Sequence, residues 1–157
     1  MDGIAVAIAF GSNLGDRDRV LRDSAAALAA AVTSLRLSTF YETDAVGVGD
    51  QPRFLNAAAT GRTSLSAPDL LTTLLDIETR FGRRRPYPFA ARTLDLDLIF
   101  YGDLVLDESG LTVPHPRFRE RLFVLEPLAE IAADWTDPVT GLTVSELLRR
   151  VRPCAAP

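Results

Sequence analysis

From Thr93 to Tyr101 the chain reads Thr-Leu-Asp-Leu-Asp-Leu-Ile-Phe-Tyr, and up to Leu98 apolar and polar residues alternate with a period of two. That period is a β-strand's, so Asp95 and Asp97 share one face while Leu94, Leu96 and Leu98 share the other. The two carboxylates then stand roughly 7 Å apart along the backbone. Their mutual repulsion must be offset by cations over that face. Arginines flank the strand on both sides, at Arg83, Arg84, Arg85 and Arg92 before it and at Arg117, Arg119 and Arg121 after it. Carboxylates set among guanidinium groups suit a magnesium-bound polyphosphate, because acids hold the metal while arginines hold phosphate oxygens. The alternative is a strand edge laced with Asp–Arg ion pairs.

The basic residues narrow the chemistry further. All 17 are arginine, so a P-loop lysine, a Schiff-base lysine and a kinase strand lysine are excluded. A net charge of −4 and a pI near 5.0 argue against a general nucleic-acid or membrane-surface binder. With 157 residues, 47% apolar and 24% charged, the chain suits one globular domain over residues 1–157. Cys154, the single cysteine, excludes an intramolecular disulfide and a cysteine metal cluster. The apolar run at residues 4–10 lacks a basic flank and is too short for a signal core or a membrane span.

Periodicity lays out the elements. Residues 4–10 predict a buried strand, residues 16–34 an alanine-rich helix, and residues 35–43 a second strand. Residues 44–53 carry two glycines and a proline and predict a long loop. A third strand is expected over 54–64, then a helix opened by Ala67-Pro68-Asp69 that Gly82 ends. The arginine-rich segment 83–91, with two prolines, is a second loop, and the Asp95/Asp97 strand is the fourth. A short strand or turn near 104–106, a loop over 112–117 and helices near 122–131 and 144–151 complete the chain. Strand, helix, strand, strand, helix, strand is the order of a ferredoxin-like α+β sandwich, here with a C-terminal helical extension. Its sheet is expected to be mostly antiparallel, with helices on one face.

Other motifs admit two readings each. Gly11-Ser12-Asn13-Leu14-Gly15-Asp16 joins a strand to a helix, where phosphates often sit, but capping by Ser12, Asn13 or Asp16 also explains it. His115, between two prolines and beside Arg117, is held in an extended loop and suits either solvent or a phosphate. Phe54 and Phe123 are core residues by default. If they faced each other across an opening they could clamp a flat heterocycle, with Asn56 reading its polar edge.

Six motifs together resemble one family: Gly11-Ser12-Asn13-Leu14-Gly15-Asp16-Arg17, Tyr41-Glu42-Thr43, Asp50-Gln51-Pro52-Arg53-Phe54-Leu55-Asn56, Arg92-Thr93-Leu94-Asp95-Leu96-Asp97, Pro114-His115-Pro116-Arg117 and Glu120-Arg121-Leu122-Phe123-Val124-Leu125. They stand in the order and spacing of the 6-hydroxymethyl-7,8-dihydropterin pyrophosphokinases. The resemblance implies a ferredoxin-like fold and transfer of pyrophosphate from ATP to the pterin hydroxymethyl group, a step of folate synthesis. It implies that Asp95 and Asp97 bind two magnesium ions and that Arg83 and Arg92 are catalytic. It further implies that Glu78, Arg85, His115 and Arg121 contact ATP, and that Phe54 and Phe123 sandwich the pterin with Thr43, Val46 and Asn56 around it. Where the family usually has Trp-Gly-Pro, this chain has Phe89-Ala90-Ala91, and Ala45 replaces a common proline. A cytoplasmic monomer that acts on small molecules, with no nucleic-acid or membrane partner, is expected. An RNA-binding module of the same element order and a magnesium-dependent phosphohydrolase are the rival functions.

Overall fold

The computed structural model describes residues 3–13, 16–43, 54–81 and 94–152. A central strand, β1 (Ile4–Ser12), is followed by helix α1 (Arg17–Leu28) and the strands β2 (Thr33–Leu37), β3 (Tyr41–Thr43) and β4 (Phe54–Thr63). Helix α2 (Ala67–Phe81) and strand β5 (Asp95–Tyr101) close the ferredoxin-like unit. The sheet runs β2-β4-β1-β5, with β3 also paired to β4, and every pairing in it is antiparallel.

The two faces of the sheet carry different side chains because of the sequence of β1. Val6, Ile8 and Phe10 point to α1 and α2 and pack with Leu21, Leu28, Leu70 and Leu74. Ala7 and Ala9 point the other way, with Ala58 of β4 beside them. Alanines let a second helical layer come close. That layer is the C-terminal extension, α3 (Leu122–Ala132) and α4 (Val144–Val151), whose Leu125, Leu128, Val144 and Leu147 pack over the small residues. Helices therefore cover both faces, whereas the expectation from element order was one face. Element order could not place the extension, because nothing local in α3 says which side it packs on.

Other expectations are corrected locally. Helix α1 ends at Leu28, not near residue 34, and the next residues turn so that Val32 enters the core. The second strand is broken in two at Ser38, whose hydroxyl accepts from the Ala58 amide at 2.9 Å and donates to the Thr39 carbonyl at 2.8 Å. A side chain in a backbone's place interrupts the ladder, as serine readily does. Part of the expected loop over 112–117 is a strand. A hairpin pairs β6 (Leu106–Glu108) with β7 (Leu111–Val113) around Gly110, whose φ of +86° suits glycine. The Asp95/Asp97 strand forms as expected. Leu94, Leu96 and Leu98 lie in the α1/α2 core, and a register shift opposite Ala7/Ile8 then lets Ile99 and Phe100 both join the other core.

Polar fastenings hold the extension. Glu146 and Thr143 form a reciprocal capping box at the start of α4. Asp137, fully buried, accepts from Arg119 (3.0 Å to Nη2, with Nε also donating), the Val139 amide and the Thr140 hydroxyl. Burial alone pushes the Asp137 carboxyl up, but the hydrogen bonds from Arg119, Val139 and Thr140 outweigh it and hold the group below its ordinary 3.8. A carboxyl lowered on folding contributes stability that is complete above 3.8 and disappears as the pH falls through the lower folded-state value. Arg119→Ala should therefore cost about 3 kcal/mol in urea unfolding at neutral pH, since it strands a buried carboxylate. Asp137→Asn should flatten the acid limb of stability below pH 3.8, and an unchanged acid limb would refute the assignment.

Candidate active site

Where β1, β4 and β5 end together, their small residues leave a cavity of about 590 Å³ under the start of α3. Its floor is Ala9 and Gly11 of β1. Gly11 pairs with Asn56 on one side and with Asp95 on the other, so the register of one residue fixes the spacing of the two walls. A β-carbon at Gly11 would lie 3.4 Å from Asn56 Oδ1 and 3.9 Å from the Phe54 ring, filling the space between them. Sequence reasoning treated this glycine as part of a turn. Its position at the end of a run of alternating small residues was the available signal.

One wall carries Phe54 and Asn56 of β4 with Thr43 of β3. Asn56 is 4% exposed, and its Nδ2 donates to the Thr43 hydroxyl at 2.7 Å, which fixes the amide's orientation. Strand β3 is itself secured from both sides. Its Tyr41 hydroxyl donates to Glu130 of α3 at 2.9 Å, and its Glu42 pairs with Arg17 of α1 at 2.8 Å. The opposite wall carries the half-buried Asp95 and Asp97. The roof is Arg121, Phe123 and Val124, and the Arg121 guanidinium lies 5.6 Å from the centre of the Phe123 ring. Phe123 is 38% exposed at the cavity roof, surface on which a flat ligand can lie.

Seven of the residues singled out from the sequence thus meet at one cavity: Thr43, Phe54, Asn56, Asp95, Asp97, Arg121 and Phe123. His115 stands beside it. Its amide donates to the Ile99 carbonyl of β5 at 3.0 Å, and its Nδ1 accepts from the Arg117 amide at 3.1 Å. That bond places the ring proton of the neutral form on Nε2. Burial lowers the imidazole below its ordinary 6.5, Asp97 pulls it back up, and Arg121 and Arg117 push it down again. The net effect is a neutral ring at pH 7 that is electrically linked to both the acidic wall and the roof. Glu78 is not at the cavity. It is 5% exposed on α2, and its carboxylate accepts from the Leu96 amide of β5 at 2.7 Å. The glycine-rich turn supplies its cap through Asp16, which accepts from the Arg19 amide at 3.2 Å. Ser12 and Asn13 are buried instead. Val46, Arg83, Arg85 and Arg92 lie outside the described residues.

An aromatic roof and wall, a fixed amide and a pair of carboxylates in one concave site are the furniture of an enzyme of small molecules, and suit a flat polar ring beside a highly charged group. Comparisons with known proteins agree. The family model described as 7,8-dihydro-6-hydroxymethylpterin-pyrophosphokinase (HPPK) matches residues 7–133, and the chain belongs to that family. The 2-amino-4-hydroxy-6-hydroxymethyldihydropteridine pyrophosphokinase of Synechocystis sp. is 47% identical over 146 residues, covering 92% of this chain and 74% of that protein. The Bacillus subtilis protein of the same name is 48% identical over 133 residues, 83% of this chain and 79% of its own. A crystal structure of an HPPK-DHPS in complex with substrates superposes with a TM-score of 0.72 at 12% identity, over 95% of this chain and 43% of that one. At that identity the likeness concerns the fold, and it agrees with the ferredoxin-like sheet described above.

The electrostatic link is directly measurable in the ligand-free protein. Asp97→Asn should lower the His115 pKa further and Arg121→Ala should raise it, both read from an NMR titration of the ring. A His115 titration indifferent to both substitutions would dissolve the proposed link.

Proposed function

We propose that this chain, as a single cytoplasmic domain, transfers the pyrophosphoryl group of ATP to the hydroxymethyl group of 6-hydroxymethyl-7,8-dihydropterin and releases AMP, in folate biosynthesis. The observation that carries the proposal is the convergence of Phe54, Phe123, Asn56 and Thr43 with Asp95, Asp97 and Arg121 on one cavity. The first four suit a pterin: two rings to stack on its faces and an oriented amide and hydroxyl to match its edge. The last three suit a polyphosphate and its metal. Val46, Arg83, Arg85 and Arg92 are assigned with them from sequence, the two outer arginines to catalysis, Arg85 to ATP and Val46 to the pterin.

Asp95 and Asp97 fit magnesium, since both offer hard carboxylate oxygens from one strand face at a half-buried wall. When bound there, two such ions would neutralise phosphate charge and lower the pKa of the attacking hydroxyl. The protein's own part is binding and placement. Stacking on Phe54 and Phe123 would direct the hydroxymethyl group toward the acidic wall. Arg121 would hold phosphate oxygens from the roof, and neutral His115 would offer its Nε2 proton to another. The hydroxymethyl oxygen attacks the β-phosphorus and gives up its proton to solvent, the bond to the oxygen bridging the α-phosphorus breaks, and AMP leaves in line. Shielding that phosphorus from water matters, because water is the competing nucleophile.

Neither rival suits the site. An RNA-binding module of this element order works through an open sheet face, and here α3 and α4 cover the second face. A phosphohydrolase has no use for the paired phenylalanines. Among the described residues no helix is long and apolar enough to cross a membrane. Calorimetric titration with a non-hydrolysable ATP analogue and with the pterin, each with and without magnesium, tests the proposal. Magnesium-dependent nucleotide binding and pterin binding are both expected, and absence of pterin binding would reject it.

Two substitutions probe the halves of the cavity. Asp97→Asn should fold normally, because it relieves repulsion with Asp95, and should lose transfer by several orders of magnitude. Full activity in that variant would end the two-ion assignment. Phe123→Ala should weaken pterin binding by about 1–3 kcal/mol with nucleotide binding nearly unchanged, and equal weakening of both ligands would assign the ring a structural role.

A further inference from the structure

Among the described residues strand β5 has a strand partner on one side only: β1 occupies one edge, and the sheet order ends at β5. An edge strand leaves alternate backbone amides without a strand partner. At Leu96, which lies between Asp95 and Asp97 and opposite Phe10, that amide is met by the Glu78 carboxylate at 2.7 Å. Glu78 comes from the last part of α2, on the same buried stripe as Leu70, Leu74 and Ile77. A carboxylate buried near a helix C-terminus is disfavoured by desolvation and by the helix dipole, so the amide it binds is a material part of what retains it there. The Leu96 peptide plane is also the link between the two acidic side chains, and its rotation would turn both.

We infer that Glu78 is a positioning residue for the acidic wall: by accepting the Leu96 amide it fixes the segment of β5 that aims Asp95 and Asp97 into the cavity. The inference rests on the reading of Asp95 and Asp97 as the metal-binding carboxylates. It assigns Glu78 to the strand behind the site, where the family resemblance placed it on ATP. What the role requires of Glu78 toward the Leu96 amide is an acceptor oxygen at the right reach. Glutamine offers the same oxygen on a stem of the same length. Aspartate keeps the charge but falls one methylene short.

The experiment compares Glu78→Gln and Glu78→Asp in the full chain. Three readouts are taken: hydrogen exchange of the Leu96 amide by NMR, Mn²⁺ binding by electron paramagnetic resonance with a non-hydrolysable ATP analogue, and the Mg²⁺ dependence of turnover. Glu78→Gln should match the parent in all three. Glu78→Asp should exchange the Leu96 amide about tenfold faster and need about 10–100-fold more metal. The KM for the pterin should hold steady, because the stacking wall is untouched. A residue that merely supports the fold would lower the melting temperature and leave the metal requirement alone. An aspartate variant that behaves as the parent, or a glutamine variant that fails with it, overturns the inference. Asp97→Asn is measured alongside: if it retains activity, the metal reading itself has failed, whereas if it is inactive and the Glu78 variants are normal, only the positioning role has.

Discussion

The site depends on the double register of β1. Gly11 lies opposite Asn56 on one side and Asp95 on the other, and Ala9 lies opposite Ala58 and Asp97. Two antiparallel ladders thereby bring a wall of Phe54 and Asn56 from β4 and an acidic wall from β5 to one floor. A slip of one residue in the β1–β5 ladder would turn every side chain of β5 to the other face and send Asp95 and Asp97 into the leucine core. That core is what prevents the slip, since Leu94, Leu96 and Leu98 are each at most 4% exposed among Ile8, Leu74 and Ile77. The specificity of the site is in this sense held by the apolar face behind it.

The C-terminal extension turns a sheet into an enzyme site. Without α3 the alanine face of β1 and β4 would be an open surface. With it the face becomes a core, anchored by Phe118 packing edge-on against Phe100 at 5.1 Å and by Asp137 holding Arg119. Arg119 and Arg121 are close in sequence and differ wholly in use. Arg119 pairs with a buried carboxylate and stacks on Phe118, while Arg121 reaches the cavity over Phe123. A chain without lysine places its side-chain cationic work chiefly on guanidinium groups, whose planar fork suits both a buried carboxylate and a phosphate. The 3₁₀ turn at Phe118–Glu120 sets the two on different sides.

Much of this was legible in the sequence. The two-residue period of residues 94–98 separated an acidic from an apolar face, and the element order gave the sandwich. Six motifs located most of the residues that meet at the cavity. Less legible was anything that depends on a partner distant along the chain. The break at Ser38 needs the Ala58 amide to receive its hydroxyl, and the end of α1 needs a core that draws in Val32. Glu78 shows the difference most clearly. Its position in the sequence matched a nucleotide-side residue, and its bond to the Leu96 amide, 18 positions away, appears only in the folded chain.

By itself the sequence determined what is local or periodic: where most strands and helices lie, which face of the acidic strand is apolar, and that no lysine can handle a phosphate. These follow from short-range sterics and from burial of whichever face is apolar, and neither needs the rest of the chain. Tertiary structure decided what is relational. It set Gly11 as the floor between two walls, placed α3 and α4 over the alanine face, and put Glu78 behind β5 while Phe123 stayed exposed at the cavity roof. Each of these is a meeting of surfaces from distant segments, fixed by ladder register and side-chain volume, and no stretch of sequence carries either quantity alone.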